Sequence, residues 1–161
     1  MGKVYTHQSL AEQRVIWKQQ QKKTVFTNGV FDILHRGHVE YLSKAKSLGD
    51  ILIVGMNTDA SVKRIKGELR PIVREEDRAF ILSQLVCVDA VCLFDEDTPL
   101  DLITALIPDV LVKGADYTIE TIVGKDVVER AGGTVQTIDF VTDRSTSNIV
   151  ETIISRFSNS K

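Results

Sequence analysis

Cysteine is scarce in this chain and long apolar runs are missing. The two cysteines, Cys87 and Cys92, both lie inside apolar stretches, which excludes a disulfide framework and reads as buried reduced thiols. No apolar run approaches the roughly 18 residues needed to cross a bilayer, and Met1 to Leu10 is polar, without the apolar core of a signal peptide. A cytoplasmic protein without a membrane partner is expected. An excess of one charge is lacking too. A formal net charge of −2 gives no field for wholesale binding of nucleic acid, so any phosphate site has to be local. Repeats and low-complexity tracts are absent.

Several catalytic fingerprints are also missing. No Gly-x-Gly-x-x-Gly follows the first strand, and Gly124-Lys125 continues into Asp126 rather than the Ser or Thr of a P-loop. There is no Gly-x-Ser-x-Gly, which disfavours a covalent hydrolase. With three histidines in all and no His-Glu-x-x-His, a protein-held zinc is not expected, and no metal ligand is assigned.

What is present fits one compact domain: 161 residues with 43% hydrophobic content bury a substantial core and leave little room for a second. Residues 1–22 read as a helical extension carrying an amphipathic helix over Ser9 to Gln21, and 23–161 as the main domain. Within it, Thr24–Gly29, Ile51–Met56, Ala90–Phe94, Val110–Val112 and Thr134–Ile138 are strand candidates. The helical patterns over 37–48, 75–85, 99–107 and 124–131 fall between them. Continuous apolar strands alternating with helices predict an α/β fold, a doubly wound Rossmann-like parallel sheet flanked by helices. Ligands then gather at the carboxyl ends of the strands. A last helix is predicted over 148–157, with Asn148 and Glu151 as its capping pair.

The most informative stretch is Thr27-Asn-Gly-Val-Phe-Asp-Ile-Leu-His-Arg-Gly-His38, between the first strand of the main domain and the helix that follows. His35 and His38 are three apart and share one side of a first helical turn. The amides and positive dipole end of that turn favour phosphate, and Gly37 admits it closely. The plainer reading of such histidines is a cap or a surface pair.

Asn28-Gly-Val-Phe-Asp32 followed by His35-Arg-Gly-His38 resembles the His-x-Gly-His signature of the cytidylyltransferase-like nucleotidyltransferases. The likeness extends over about 23–154, through Val62-Lys-Arg-Ile-Lys-Gly67, Arg70-Pro71, Asp97-Thr-Pro99, Val112-Lys-Gly114, Asp116-Tyr117 and Ser145-Thr-Ser-Asn-Ile149. There it is similar to the adenylyltransferase domain of bacterial heptose-phosphate enzymes, in a stand-alone form, since no kinase-sized segment accompanies it.

The resemblance implies transfer of AMP from ATP to D-glycero-β-D-manno-heptose 1-phosphate, giving ADP-heptose and pyrophosphate on the way to lipopolysaccharide. It implies His35, His38 and Lys66 as catalytic groups. Thr27, Asn28, Gly37, Lys113, Gly114, Asp116, Ser145 and Thr146 would bind nucleotide and phosphates, while Phe31 and Asp32 would face the acceptor. Mg²⁺ would travel on the ATP phosphates, and a homodimer is expected. Lys63, Arg64 and Lys66 otherwise read as a solvated basic loop. Ala115 stands where related heptose enzymes often have Gly, which is tolerable at negative φ. Cytidylyltransferases often carry an Arg before the Ser-Thr element; Phe140 occupies that place here, with Arg144 nearer the element, which argues against CTP. The competing readings are a cytidylyltransferase acting on glycerol 3-phosphate, an adenylyltransferase making a flavin dinucleotide, and a nucleotide-binding module without turnover.

Overall fold

The computed structural model describes residues 2–139 and 145–158. Strand β1 (Lys3–Tyr5) leads into helix α1 (His7–Gln19), whose start is fixed by a reciprocal cap between Thr6 and Ser9. The main alternation follows as β2 (Thr24–Gly29), α2 (Arg36–Lys46), β3 (Ile51–Asn57), α3 (Asp59–Lys66) and α4 (Glu75–Ser83). It continues as β4 (Ala90–Phe94), α5 (Leu100–Leu106), β5 (Val110–Gly114), α6 (Lys125–Arg130), β6 (Thr134–Ile138) and α7 (Thr146–Phe157).

All six strands form one parallel sheet in the order β1-β4-β3-β2-β5-β6. The apolar strand runs are covered on both faces, as parallel sheets require. Successive β2 residues divide the core between the faces. Val25 packs with Leu42 and Ala45 of α2 and Ala79 and Leu82 of α4. Phe26 packs with Leu10 and Trp17 of α1, Leu102 and Ile103 of α5, and Val128 of α6. From β2 the chain winds outward through β3 and β4, then returns to the other side of β2 as β5. That reversal opens a crevice at the carboxyl ends of β2 and β5, where this class of sheet binds its ligands.

Three features depart from the sequence reading. Lys3–Tyr5 forms an edge strand on β4, although three residues with a mostly exposed pattern carry no strand signal. The basic cluster Lys63, Arg64 and Lys66 is the last turn of α3 rather than a loop, and that helix is capped by the Thr58 hydroxyl accepting from the Ser61 amide. The last helix starts two residues early: Ser145, not Asn148, is its cap, accepting from the Asn148 amide at 3.1 Å. Cys92 is buried and Cys87 partly so, and both are free thiols. Phe140 and Arg144 lie outside the described residues.

Candidate active site

A cleft of about 620 Å³ opens at the β2/β5 reversal. One wall comes from the loop after β2, the start of α2, the end of β5 and the start of α7. It presents Asn28, Phe31, His38, Lys113, Asp116 and Thr146. The opposite wall comes from α3 and the segments after α3 and β4, with Asn57, Lys66, Arg70, Asp97 and Pro99. Nine of the thirteen residues singled out from the sequence line this cleft: Asn28, Phe31, Asp32, His38, Lys66, Lys113, Gly114, Asp116 and Thr146.

The two histidines meet because α2 begins between them. His35 is the residue before the helix, with an extended backbone (φ −141°, ψ 171°), and His38 is in its first turn. Their rings stack with centroids 3.9 Å apart and planes at 23°. Phe31 closes the other side of His38, edge on, at 5.3 Å. Phe31 itself holds φ at +49°, a left-handed backbone uncommon for an aromatic residue and typical of functional loops. Its ring lies over Gly29, where an added Cβ would come 3.0 Å from the ring and push it by a few tenths of an ångström. Burial, and then the charge of His35, lower the His38 pKa to about 4. Near neutral pH this ring is uncharged and has one N–H to offer. His38 Nδ1 and Asn28 Oδ1 are buried and have no hydrogen-bond partner among the described residues, so polar capacity is left over inside the cleft.

Lys113 leaves the end of β5 and donates to the Asn28 carbonyl at 3.3 Å. Its ammonium stands 4.9 Å over the Tyr117 ring. Burial lowers its pKa to about 8, against the opposing pull of Asp116. Ala115, the departure from glycine, is not among the positive-φ residues and costs the loop nothing. Across the cleft Lys66 is exposed at the end of α3. That helix is held to the loop after β4 by Arg64, which pairs with Asp97 at 3.1 Å and Asp95 at 3.6 Å. The basic cluster thus divides its work, with Arg64 fastening the helix and Lys66 facing the cleft.

Four of the thirteen residues stand behind the lining. Gly37 is buried in the first turn of α2 and His35 adjoins His38 there. The Ser145 hydroxyl caps α7, while the Thr146 hydroxyl donates to the Ile33 carbonyl at 3.5 Å. Thr27 is fully buried, and its hydroxyl is 2.7 Å from the hydroxyl of Tyr41. Tyr41 lines the cleft and went unnoticed in the sequence, where a tyrosine on the apolar stripe of α2 looks like core.

Asp32 is 3% exposed. Its Oδ2 accepts from Arg70 Nε at 2.6 Å, and its Oδ1 accepts from the amides of Ile72 and Val73 at 2.8 and 2.9 Å. Both oxygens are thus engaged in tying the loop after β2 to the segment between α3 and α4. Arg78, 1% exposed, reinforces the tie by donating to the carbonyls of Val30 and Val73 and to Asp59. Nothing in the local sequence marks Arg70 or Arg78 for these roles, because their partners are distant in the chain.

The Cytidylyltransferase-like family model matches residues 26–155. Among curated proteins, "Bifunctional protein HldE" of Syntrophotalea carbinolica is 54% identical over 156 residues, which is 97% of this chain and 32% of that protein. The protein of the same name from Citrifermentans bemidjiense is 62% identical over 136 residues, 84% of this chain and 28% of that protein. The chain therefore spans about a third of the length of these relatives. A lipopolysaccharide core biosynthesis protein from Thermoplasma volcanium superposes with a TM-score of 0.59 at 32% identity, covering 74% of this chain and 97% of that one. Pantothenate synthetase from Thermus thermophilus shares the fold alone, at TM-score 0.63 and 16% identity over 92% of this chain and 67% of that one. With a family match that takes in β2 through most of α7, including the paired histidines and the crevice they face, the chain belongs to the cytidylyltransferase-like family.

Proposed function

We propose that this chain is a nucleotidyltransferase that moves AMP from ATP to D-glycero-β-D-manno-heptose 1-phosphate, releasing pyrophosphate and forming ADP-heptose. The observation that carries the reading is the stacked His35–His38 pair at the start of α2, placed at the sheet's reversal. Its motifs resemble those of heptose-phosphate adenylyltransferases, and relatives named HldE match nearly the whole chain. The chemistry needs little from the protein beyond position and charge. A phosphomonoester has a second pKa of about 6, so near neutral pH the acceptor is mostly dianionic and needs no general base. One of its oxygens attacks the α-phosphorus of ATP, the bond from that phosphorus to the β-phosphate oxygen breaks, and pyrophosphate leaves. The site's task is to hold the partners in line and stabilise charge growing on the phosphates.

In this reading His38 and His35 donate to the α-phosphate region, helped by the amides of the α2 start. Lys66 closes on the phosphates from the opposite wall. Lys113, Gly114 and Asp116 hold the nucleotide on the β5 side, and the Ser145-Thr146 start of α7 offers a second positive helix end to the outer phosphates. Asn28 adds a polar group beside the histidines. The imidazole, lysine and amide donors along the phosphate path suit anions rather than a metal. Mg²⁺ would therefore be held by triphosphate oxygens and water and would supply further charge neutralisation. A cytoplasmic homodimer is the working state in this proposal.

The test is pyrophosphate release by the purified chain with Mg²⁺, offering ATP and CTP separately with heptose 1-phosphate, glycerol 3-phosphate and flavin mononucleotide. Release confined to ATP with the β-heptose phosphate is the expected result. Release with another pair would keep the mechanism and overturn the pathway, and silence with every pair would leave a binding module.

A further inference from the structure

Resting on the transferase reading above, we infer that Arg70 is an acceptor-phosphate binding residue of this site and that Asp32 is its positioning residue. Among the described side chains that line the cleft, three are permanently or readily cationic: Lys66, Arg70 and Lys113. Lys113 belongs to the β5 wall and is already engaged with the Asn28 carbonyl and the Tyr117 ring. Lys66 is exposed on a flexible stem. Arg70 differs from both. Its Nε is fixed to Asp32 at 2.6 Å, with side-chain exposures of 25% for the arginine and 1% for the aspartate. That bond uses one edge of the guanidinium. Its two Nη groups have no partner among the described residues, and the side chain borders the cleft on the wall opposite Lys113. A guanidinium held by Nε, with a free pair of N–H-bearing nitrogens, is arranged for bidentate binding of a phosphate.

The tether also decides what Asp32 does. A carboxylate that read sugar hydroxyls would need an accessible oxygen, and Asp32 is 3% exposed, with both oxygens already accepting from Arg70 and two backbone amides. Asp32 acts through Arg70. Because the histidine pair and Lys113 define the nucleotide side, a phosphate gripped by Arg70 enters from the α3 side. That is where an acceptor has to stand to attack the α-phosphorus in line. The ligand class is therefore a phosphomonoester whose dianion meets Arg70 while the rest of the molecule faces Lys66, Asn57 and Asp97.

The alternative is that Arg70 serves only to neutralise the buried carboxylate. The two roles separate in steady-state kinetics of the full chain with ATP and the sugar 1-phosphate, comparing wild type, Arg70→Gln, Arg70→Lys and Asp32→Asn. Loss of charge-assisted hydrogen bonds to the acceptor should raise its KM about 10- to 100-fold in Arg70→Gln, leaving the KM for ATP unchanged. Arg70→Lys should recover little, lacking the Nε tether, and Asp32→Asn should shift the same KM to a smaller extent. A lowered melting temperature with both KM values intact would overturn the proposal, as would a rise in the KM for ATP alone. Calorimetric binding of inorganic phosphate, in the presence of a non-hydrolysable ATP analogue, tests Arg70 apart from turnover. Were wild type to release no pyrophosphate with any acceptor, the transferase reading would fail. Weaker phosphate binding in the arginine variants would then still uphold the Arg70 assignment, and equal or undetectable binding in wild type and variants would reject it.

Discussion

The His35 and His38 rings lie 3.9 Å apart, centroid to centroid, and nearly parallel. Two imidazoles at that distance cannot both carry a charge without repulsion, and burial adds to the cost for His38. His38 is therefore uncharged near neutral pH while the cleft is empty, and a phosphate bound beside it would favour its protonation.

This has a consequence for stability that can be measured. The unfolded-state pKa of a histidine is near 6.5, whereas folded His38 has a pKa of about 4. Between those two values the unfolded chain binds a proton that the folded one refuses, so stability falls as pH drops from about 6.5 to about 4. For a partly exposed ring the loss is at most about 3 kcal/mol. His38→Gln should remove this share of the acid sensitivity in urea unfolding at pH 7 and pH 4.5, and it should slow pyrophosphate release by orders of magnitude, since losing one such donor costs about 2.7 to 4 kcal/mol. Unaltered turnover would take His38 out of the mechanism, and an unaltered pH dependence would refute the buried neutral ring.

Thr27 and Tyr41 form a second linked pair. Their hydroxyls are 2.7 Å apart, in surroundings that push the tyrosine pKa up to about 12, chiefly through burial. Tyr41→Phe alone strands the buried Thr27 hydroxyl, and Thr27→Val alone removes that hydroxyl from Tyr41, each at a cost of about 1 to 3 kcal/mol. The double variant leaves less unsatisfied and should lose less than the sum of the two. A double-mutant cycle by chemical denaturation measures this coupling; strict additivity would show that the contact contributes nothing.

Much of this fold is legible in the sequence because its strands announce themselves. Ile51–Met56 and Ala90–Phe94 are unbroken apolar runs, as expected of strands covered on both faces. Lys3–Tyr5 was illegible because its partner is β4, far along the chain, and its own three residues are too few and too exposed to show a strand pattern. Helix α3 was hidden behind its charges, although Thr58 followed by Asp59 is a readable start signal. The site divides in the same way. His35 and His38 stand out because chemistry and position coincide in a dozen residues. Arg70, Arg78 and Tyr41 acquire their roles from partners up to 48 residues away, which one-dimensional spacing cannot reveal.

Lys113 is a partly buried cation whose desolvation works against the fold. Burial lowers its pKa to about 8, so at pH 7 the folded chain holds a desolvated ammonium. The free chain keeps that proton up to about 10.4. Stability should rise with pH between about 8 and 10.4 as the folded lysine discharges before the unfolded one. Lys113→Met should stabilise the protein at pH 7, on the order of 1 to 3 kcal/mol after allowing for partial exposure, while weakening ATP binding. Denaturation curves and nucleotide calorimetry read the two effects separately. A variant that is less stable at pH 7 would mean that the lysine's contacts with Asn28 and Tyr117 outweigh its desolvation.

Arg14 supplies the opposite case, a buried cation with a structural task at the far end of the sheet. It is 7% exposed and donates to the carbonyls of Leu106 and Ile107 at 3.1 and 3.0 Å and to Asp109 at 3.2 Å. Asp109 in turn accepts from the Thr24 amide and hydroxyl, so one arginine joins α1, the end of α5 and the start of β2. Arg14→Met keeps most of the buried stem but leaves two carbonyls without their donor and takes the cation away from Asp109. The expected loss is about 3 to 5 kcal/mol, as for a broken buried ion pair. Because Asp109 is partly exposed, the observed value should fall toward the lower end. The candidate cleft lies at the other ends of the same strands, so KM values for ATP and acceptor should remain as in wild type at temperatures where the variant is folded. A shift in either KM would show that the base of the sheet transmits strain to the histidine loop through β2.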